Sequence, residues 1–390
     1  MSEIRVLIQG ASIAGPALAY WLRRQGAEVT VVEQTSGLRP GGQAVDARGV
    51  AKEVIRRMGL ESAVRAACTD TAGAYRVDAD GNVLETHRAD DHGGDGYIAE
   101  IEILRGDLAE VLHDATRDSV EYVFGDRIVD LTQDADGVDV AFAAGGRRRF
   151  DLVIGADGLH SSLRSMVFGP RERYVRHLGL VLAYFSVPNE FGLDRWLIDY
   201  QESGRSAGLR PIQDATRGIA MFSFSAAEVT VPHRDVEAQK NLLRERMTGF
   251  GWLTPRILAH LDDTPDFYLD QVAQVVMDRW STGRVGLLGD AAFSASPMSG
   301  GGTGLALVGA YLLAGELAAS GWDPQAGFAG YEERMRSYVE ANQEIGRLHV
   351  HSLTGSGPGA EPSPEPDMEA LTALIECAVG GPDLPPYDLD

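Results

Sequence analysis

The first 33 residues constrain the fold more than any other part of the chain. Residues 4–8 form a short apolar run that is typical of a strand covered on both faces. A turn from Gly10 to Gly15 follows, Pro16 suits the first turn of a helix, and residues 28–33 form a second strand. Strand, helix and strand in this order imply a right-handed crossover and a parallel pair. The chain therefore begins as an α/β fold.

The first turn has the chemistry of a dinucleotide site. Gly10 permits a tight turn, Gly15 permits close packing, and the small Ser12 stands where the common pattern has a middle glycine. Glu33 ends the second strand about 20 residues further on, where a carboxylate accepts hydrogen bonds from a ribose. An ordinary strand–turn–helix with a solvated carboxylate is the alternative. The candidate binding residues are Gly10, Ser12, Ile13, Ala14, Gly15, Glu33 and Gln34.

A second turn, Asp157-Gly158, follows the apolar run Asp151–Gly155. An Asp-Gly pair alone marks only a turn. Ser161 and Arg164 follow it at spacings that suit the start of a helix, which makes this turn a second candidate site.

The third turn is the most specific, because an apolar strand ending at Leu288 leads directly into it. A glycine-rich loop follows and opens an apolar helix from about Leu305 to Ala319. Packed glycines ahead of a helix make a backbone that receives anions beside a flat ligand. The candidates in this segment are Gly289, Asp290, Pro297, Gly300, Gly301, Gly302, Thr303 and Gly304.

Charge and cysteine usage exclude several function classes. The 57 acidic residues against 35 basic ones give a formal charge of −22, which repels nucleic acids and anionic lipids. Cys68 and Cys377 are far apart, as expected of idle thiols in a reducing cytoplasm. The N-terminus lacks a signal-peptide pattern, and the most apolar stretch, Leu305–Leu313, is shorter than the roughly 20 residues of a membrane span. We expect a soluble cytoplasmic protein that binds no nucleic acid, membrane or metal.

Taken together, the three turns resemble those of the FAD-dependent monooxygenases with the para-hydroxybenzoate hydroxylase fold. The resemblance covers about Ile4 to Ala319 and is greatest to the branch of tetracycline-modifying and polyketide-tailoring hydroxylases. It implies a Rossmann-like FAD-binding domain, an inserted antiparallel-sheet substrate domain and a C-terminal helical segment. The short apolar-aromatic strands between residues 178 and 224 agree with such an insertion. The expected boundaries are 1–73, 98–176 and 270–325 for the FAD-binding domain, 74–97 and 177–269 for the substrate domain, and 326–390 for the helical region, with a linker near 355–366.

The resemblance also implies roles for individual residues. The turn from Gly10 to Gly15 would hold the pyrophosphate and Glu33 the adenosine ribose, while Arg105 would lie along the flavin. Asp157 and Gly158 match a motif linked to both FAD and the nicotinamide cofactor, and Asp290 matches the residue that holds the ribityl chain. The segment from Pro297 to Gly304 would lie over the isoalloxazine. Two positions depart from the family: Phe293 stands where many members have His, and Gly304 where many have Asn.

The implied activity is hydroxylation of an aromatic or polyketide-type small molecule with NADPH or NADH and O2, through a flavin C4a-hydroperoxide. We expect no side-chain catalyst, because the flavin carries the chemistry, and a monomer or weak homodimer. The alternatives are a flavin reductase or dehydrogenase on the same fold and a flavin-binding protein without turnover. Alternation along strands sends about half of the side chains inward. The candidate pocket residues are Asp46, Tyr184, Trp196, Tyr200, Phe222, Phe224 and Phe293.

Overall fold

The computed structural model describes residues 3–225, 231, 235–354 and 368–387. The strands are β1 (Arg5–Gln9), β2 (Glu28–Glu33), β3 (Ala44–Ala47), β4 (Gly73–Val77), β5 (Val83–Arg88), β6 (Ile101–Leu104), β7 (Glu121–Phe124), β8 (Ile128–Gln133), β9 (Val138–Phe142), β10 (Arg147–Phe150), β11 (Leu152–Gly155), β12 (Val175–Pro188), β13 (Trp196–Glu202), β14 (Arg205–Pro211), β15 (Arg217–Ser225), β16 (Tyr268–Val275), β17 (Ser281–Thr282) and β18 (Val285–Leu287). The α-helices are α1 (Ala14–Arg24), α2 (Val50–Arg57), α3 (Glu61–Ala66), α4 (Arg105–Asp114), α5 (Ser162–Val167), α6 (Val236–Arg246), α7 (Thr254–Leu258), α8 (Asp290–Phe293), α9 (Gly302–Ala319), α10 (Pro324–Thr354) and α11 (Met368–Gly380).

A six-stranded sheet in the order β17-β18-β11-β1-β2-β7 organises the first domain. β1 pairs in parallel with β2 and β11, and β11 pairs in parallel with β18. Val6, Leu7 and Ile8 are fully buried, as expected of a strand with both faces covered. All three glycine turns follow strands of this one sheet at their carboxyl ends. The predicted α/β fold class is confirmed.

The apolar helix α9 runs through the core of this domain and packs against α1. It begins at Gly302, three residues before the predicted start, because the glycine loop itself supplies the first helical turn. Its 18 residues therefore reach a length and apolarity that could cross a membrane, contrary to the sequence expectation, but 78% of the helix is buried inside the protein. Burial on all sides is the reason why this helix is apolar all round.

A seven-stranded sheet in the order β16-β12-β15-β14-β13-β4-β5 forms the second domain. Its strands are antiparallel neighbours except for the parallel pair of β4 and β13. One face packs against α6 and α7 in a separate hydrophobic core, and the opposite face, which we call the cleft face, is turned toward the first domain. β16 continues to Val275 within this sheet, so the expected boundary at residue 270 falls inside a strand. The expected linker near 355–366 lies outside the described residues.

Candidate functional site

The turn after β1 can be built only with glycine at its two ends. Gly10 has φ +113°, and a Cβ atom there would lie 2.3 Å from the carbonyl oxygen of Ala156. A Cβ atom on Gly15 would lie 1.9 Å from the carbonyl oxygen of Gly10. The turn therefore packs tightly against the end of β11, where the second turn begins.

Two helices of the first domain begin without a side-chain cap. Both begin at the cleft, by which we mean the space between the three turns and the cleft face of the second domain. Neither α1, after Ile13, nor α9, after Gly301, has a capping side chain or an acidic residue in its first turn. Their first backbone N–H groups consequently lack intrahelical partners and carry the positive end of the helix dipole. A Cβ atom on Gly302 would meet nothing within 4 Å, so the start of α9 borders open space. Both ends suit an anionic or electron-rich ligand in a chain with a formal charge of −22.

Glu33 belongs to the first turn, as predicted. Its Oε2 accepts a hydrogen bond from the backbone N–H of Ala11 at 3.0 Å, and its Oε1 accepts from the N–H and hydroxyl of Thr35. The carboxylate is therefore held at the carboxyl end of β2, beside the start of α1. The neighbouring Gln34 is exposed.

Arg105 reaches the same turn from α4. Its Nη1 donates to the Ser12 hydroxyl at 2.9 Å, and burial lowers the pKa of its guanidinium, with Arg39 adding to that effect. The loop before β3 closes over it, because a Cβ atom on Gly42 would lie 3.4 Å from the Arg105 Nε. The loop is fixed by the hydrogen bond from the Arg105 N–H to the carbonyl oxygen of Gln43. A cationic side chain thus spans the space between the first turn and this loop.

Asp157 acts mainly as a structural carboxylate in the second turn. Its Oδ2 accepts hydrogen bonds from the Gln9 side chain at 2.6 Å, from the N–H and hydroxyl of Ser162, and from the N–H of Leu163, while its Oδ1 accepts from the Ser161 hydroxyl. These bonds tie the start of α5 to the end of β1. The adjacent Gly158 has φ +79°, which favours glycine.

Arg164 joins the second turn to the third. It is fully buried, and it donates to the carbonyl oxygens of Leu159 at 2.7 Å and Ala291 at 2.8 Å. The third turn also meets the first, because a Cβ atom on Gly289 would lie 3.1 Å from that of Ala14. The three turns that the sequence identified are therefore brought together at one place.

Asp290 lies at this junction and faces the cleft. Its side chain is exposed there, yet protein on the other sides removes much of the nearby water. That desolvation raises the pKa of the carboxyl, and a hydrogen bond from Ser294 and the charge of Arg164 offset it in part. The residue is thus surrounded by protein but open toward the space that a ligand would fill.

The glycine segment before α9 serves packing as well as the cleft. A Cβ atom would lie 1.7 Å from the Asn342 side chain at Gly301 and 2.5 Å from the Tyr338 hydroxyl at Gly304. The hydroxyl of Tyr338 therefore occupies the space into which a larger residue at position 304 would project. Pro297 is exposed and Thr303 is buried. Of this segment, Gly302 borders the cleft most openly.

The far wall of the cleft comes from both domains. Tyr97 and Tyr268 are 56% and 49% exposed, but surrounding protein raises the pKa of the Tyr97 hydroxyl to about 12 and that of Tyr268 still further. Exposure of the ring together with desolvation of the hydroxyl indicates a concave surface around both residues. Tyr184 stacks on Tyr268 with ring centroids 6.3 Å apart. Asp46 pairs with Arg48 at 2.9 Å, and desolvation raises its pKa to about 6.

Five of the aromatic pocket candidates lie elsewhere, and only Tyr184 is on the cleft face. Tyr200, Phe222 and Phe224 are buried in the core between the seven-stranded sheet and its helices, because they share the opposite face. Trp196 is on that opposite face too and stacks on Tyr75 at 4.2 Å. Phe293 is buried behind the third turn, against Trp280 and Tyr331. These predictions were wrong because alternation alone does not fix which face of a strand points to the cleft.

Sequence reasoning missed three charged residues of the cleft. Asp199 and Arg210 alternate with apolar residues on β13 and β14 and so lie on the cleft face, and Glu102 on β6 pairs with Arg210. A charged residue between two apolar residues of a strand was the available signal. Among the described residues, no group of three or more His, Cys, Asp or Glu side chains is placed to hold a metal.

Known proteins agree with this geometry in sequence. A family model described as an FAD binding domain matches residues 3–344. A flavin-dependent monooxygenase of Legionella longbeachae is 36% identical over 386 residues, which cover 99% of this chain and 99% of that protein. An uncharacterized protein of Mycobacterium tuberculosis is 46% identical over 371 residues, covering 95% of this chain and 98% of that protein.

Solved structures agree as well. The crystal structure of tetracycline destructase Tet(55) matches with a TM-score of 0.87 and 38% identity, covering 99% of each chain. Klebsiella pneumoniae HpxO, complexed with FAD and uric acid, matches with a TM-score of 0.77, 22% identity and 97% coverage of each chain, which shows the fold alone. The predicted family, enzyme class and flavin cofactor are thereby confirmed. The chain belongs to the FAD-binding family of flavin-dependent monooxygenases, and FAD is its cofactor.

Proposed function

We propose that this monooxygenase uses NADPH or NADH and O2 to add one oxygen atom to an aromatic or polyketide-type small molecule. The observation that carries the proposal is the convergence of the three turns on one cleft whose far wall is the second sheet. An extended dinucleotide could lie along the turns while a flat substrate lies between its flavin end and that sheet. Clefts between domains are common small-molecule sites.

The residues around the cleft suit FAD. The uncapped start of α1 would bind the pyrophosphate, and Glu33 would bind the adenosine ribose. Arg105 would lie along the flavin and Asp290 would bind the ribityl hydroxyls. The open space beside Gly302 would admit the isoalloxazine. Asp157 would act indirectly in this arrangement, since its hydrogen bonds shape the turn around Gly158.

When bound, FAD supplies the redox chemistry that passes electrons from NADPH or NADH to O2 so that one oxygen atom reaches the substrate. The chain's own groups then bind, orient and exclude water. The backbone N–H groups at the start of α9 favour negative charge at the edge of the ligand that they face. Tyr184 and Tyr268 cover the opposite side of the cleft and limit the access of water.

The polarity of the far wall supports an oxygenated ring system as substrate. This wall combines phenol groups with carboxylates and a guanidinium, namely Tyr97, Tyr184, Asp46, Asp199 and Arg210. A purely apolar ligand would desolvate these groups further and add no hydrogen bonds to those they make within the protein, which is unfavourable. The related destructase named above supports including tetracycline among the candidate substrates.

The experiment is a turnover assay on the purified, FAD-loaded enzyme. NADPH and NADH oxidation is measured with a panel of hydroxylated aromatics and tetracycline, and products are analysed by mass spectrometry under ¹⁸O₂. We expect substrate-stimulated oxidation and one ¹⁸O atom per product molecule. Turnover that proceeds equally without oxygen would instead support a reductase. Flavin that NADPH and NADH fail to reduce would support a binding protein without turnover.

A further inference from the structure

The cleft face of the seven-stranded sheet presents an acceptor and a donor side by side. Asp199 on β13 is paired with Gly208 on β14, and Arg210 follows two residues later on the same face. Side chains in such a diagonal arrangement lie roughly 7 Å apart. Gly208 lies between them and has no side chain; a Cβ atom there would lie 3.0 Å from the Met221 methyl group, 3.2 Å from the Ile198 carbonyl oxygen and 3.3 Å from the Asp199 Oδ1.

Arg210 is fixed in place from the first domain. It donates to Glu102, whose other carboxylate oxygen accepts hydrogen bonds from the hydroxyls of Thr69 at 2.6 Å and Thr71 at 2.7 Å. Burial alone would raise the pKa of Glu102, but Arg210 and the two hydroxyls hold it below its ordinary value. The hydrogen bond to Glu102 uses one of the five N–H groups of Arg210. Glu102 therefore orients the guanidinium and leaves donors for another partner.

Asp199 is 9% exposed, and within the described part of the chain its carboxylate accepts one side-chain hydrogen bond. Its Oδ2 accepts a hydrogen bond from the Gln201 side chain, while its Oδ1 lies on the side of Gly208, 3.3 Å from the Cβ position of that residue. Desolvation raises the pKa of the carboxyl to about 6, with Gln201, Arg76 and Arg210 offsetting part of the effect. A ligand that donates a hydrogen bond to Oδ1 would offset part of this desolvation.

We propose that Asp199 and Arg210 recognise the substrate at two points, Asp199 accepting from a hydroxyl group and Arg210 donating to a carbonyl or enolate oxygen on the same edge of a planar ring system. The proposal rests on the monooxygenase function proposed above and specifies its substrate as a hydroxylated aromatic ketone or an enolised polyketide. Tyr184 and Met221, which face each other across β12 and β15, would contact the plane of the rings.

The test compares two soluble probes, alizarin red S and anthraquinone-2-sulfonate. Both are planar sulfonated diketones, but only alizarin red S has hydroxyl groups next to a carbonyl. Binding to the oxidised, FAD-loaded enzyme is measured by calorimetry without NADPH. We expect the wild type to bind the hydroxylated probe about tenfold or more tightly, since hydrogen bonds to charged groups contribute roughly 1.5–3 kcal/mol. Asp199→Leu and Arg210→Lys should each reduce this preference to about threefold or less.

The matched controls lie on the same two strands but on the opposite face. Glu202 accepts from the Tyr200 hydroxyl, and the Arg205 guanidinium lies 4.6 Å from the centre of the Phe250 ring. Glu202→Gln and Arg205→Lys should keep the wild-type preference. Leucine is similar in size to aspartate, and Asp199→Leu removes a costly buried charge, so we expect this variant to fold. It tests the proposal on its own if Arg210→Lys does not fold.

The proposal would be overturned if the wild type showed no preference, or if the folded Asp199 and Arg210 variants kept it. This failure is distinguishable from failure of the proposed function. An enzyme that incorporates ¹⁸O but shows no preference contradicts the two-point recognition alone. An enzyme that holds FAD but transfers no oxygen to any substrate contradicts the proposed function itself.

Discussion

Two glycines near the start of α9 face different neighbours, and this difference separates stability from cofactor binding. A Cβ atom on Gly304 would lie 2.5 Å from the Tyr338 hydroxyl, whereas a Cβ atom on Gly302 would point into open space. The glycine at position 304 is thus explained by the tyrosine that packs against it. The open space at Gly302 is where the proposed FAD site would place the flavin.

We therefore expect Gly304→Ala to lower the free energy of unfolding by about 1–3 kcal/mol through overpacking. The double variant Gly304→Ala/Tyr338→Phe should recover most of that loss, because it removes the colliding oxygen. Gly302→Ala should leave the stability of the FAD-free protein unchanged or slightly higher but weaken FAD binding. Chemical denaturation and FAD titration measure the two effects. Equal behaviour of the two single variants in both assays would contradict this assignment.

Asp199 gives a pH dependence whose sign follows from its burial. Its pKa is about 6 in the folded protein against 3.8 for the ordinary carboxyl. The unfolded chain therefore loses its proton first, and the free energy of unfolding falls as pH rises from about 4 to 6 and is level above that.

At pH 7 the ionisation of Asp199 lowers the free energy of unfolding by at most about 3 kcal/mol. Asp199→Asn should therefore stabilise the FAD-free protein by ~1–3 kcal/mol at pH 7. It should also make the fall in the free energy of unfolding between pH 4 and 6 shallower. Part of that fall should remain, because the pKa of Asp46 is raised in the same way. Asp130→Asn, at an exposed carboxylate on β8, is the control and should change neither quantity. Urea denaturation at several pH values measures both. An Asp199→Asn variant that is less stable than the wild type at pH 7 would refute this reasoning.

At the level of elements, the site depends on loops that distant strands bring together. The turns after β1, β11 and β18 meet because these three strands are parallel neighbours in one sheet and end on the same side. Arg164 then fixes the second turn against the third through the carbonyl oxygens of Leu159 and Ala291. Its contribution to the site is therefore positional.

Arg164→Met should leave both carbonyl oxygens buried without a partner and lower the free energy of unfolding by about 2 kcal/mol or more. FAD affinity should fall as well, because the third turn loses its support. Arg164→Lys should rescue little, since one ammonium does not reproduce the two-pronged contact. Arg5→Met, at a half-exposed arginine, serves as the control. FAD affinity at the wild-type level in a destabilised Arg164→Met variant would show that the two turns are independent.

The turns were predictable from the sequence, whereas of the far wall of the cleft only Asp46 and Tyr184 were. Each turn is contiguous, and its glycines and carboxylate stand at fixed offsets from an apolar strand. The wall depends on strand register, because Asp199 and Tyr200 are neighbours in sequence but lie on opposite faces of the sheet. The pair of Glu102 and Arg210 spans 108 residues and two domains, so no local pattern reveals it.

For the whole molecule, FAD should act as a stabilising ligand because its proposed site draws on segments from residue 10 to residue 304. Ligand binding to the folded state alone stabilises by about 2.7 kcal/mol at a concentration of 100 Kd. The melting temperature should therefore rise with FAD concentration and continue to rise logarithmically beyond saturation. FMN should give a smaller shift, since it lacks the adenosine half that Glu33 would bind. Equal shifts with FMN and FAD would contradict the role of the first turn.

The most direct measurement of the central claim is a crystal structure of the FAD complex. We expect the pyrophosphate at the start of α1, the adenosine ribose at Glu33, and the isoalloxazine between Gly302 and the cleft face that carries Asp199 and Arg210. Electron density that places the flavin away from Gly302, or the pyrophosphate away from the turn between Gly10 and Gly15, would contradict it.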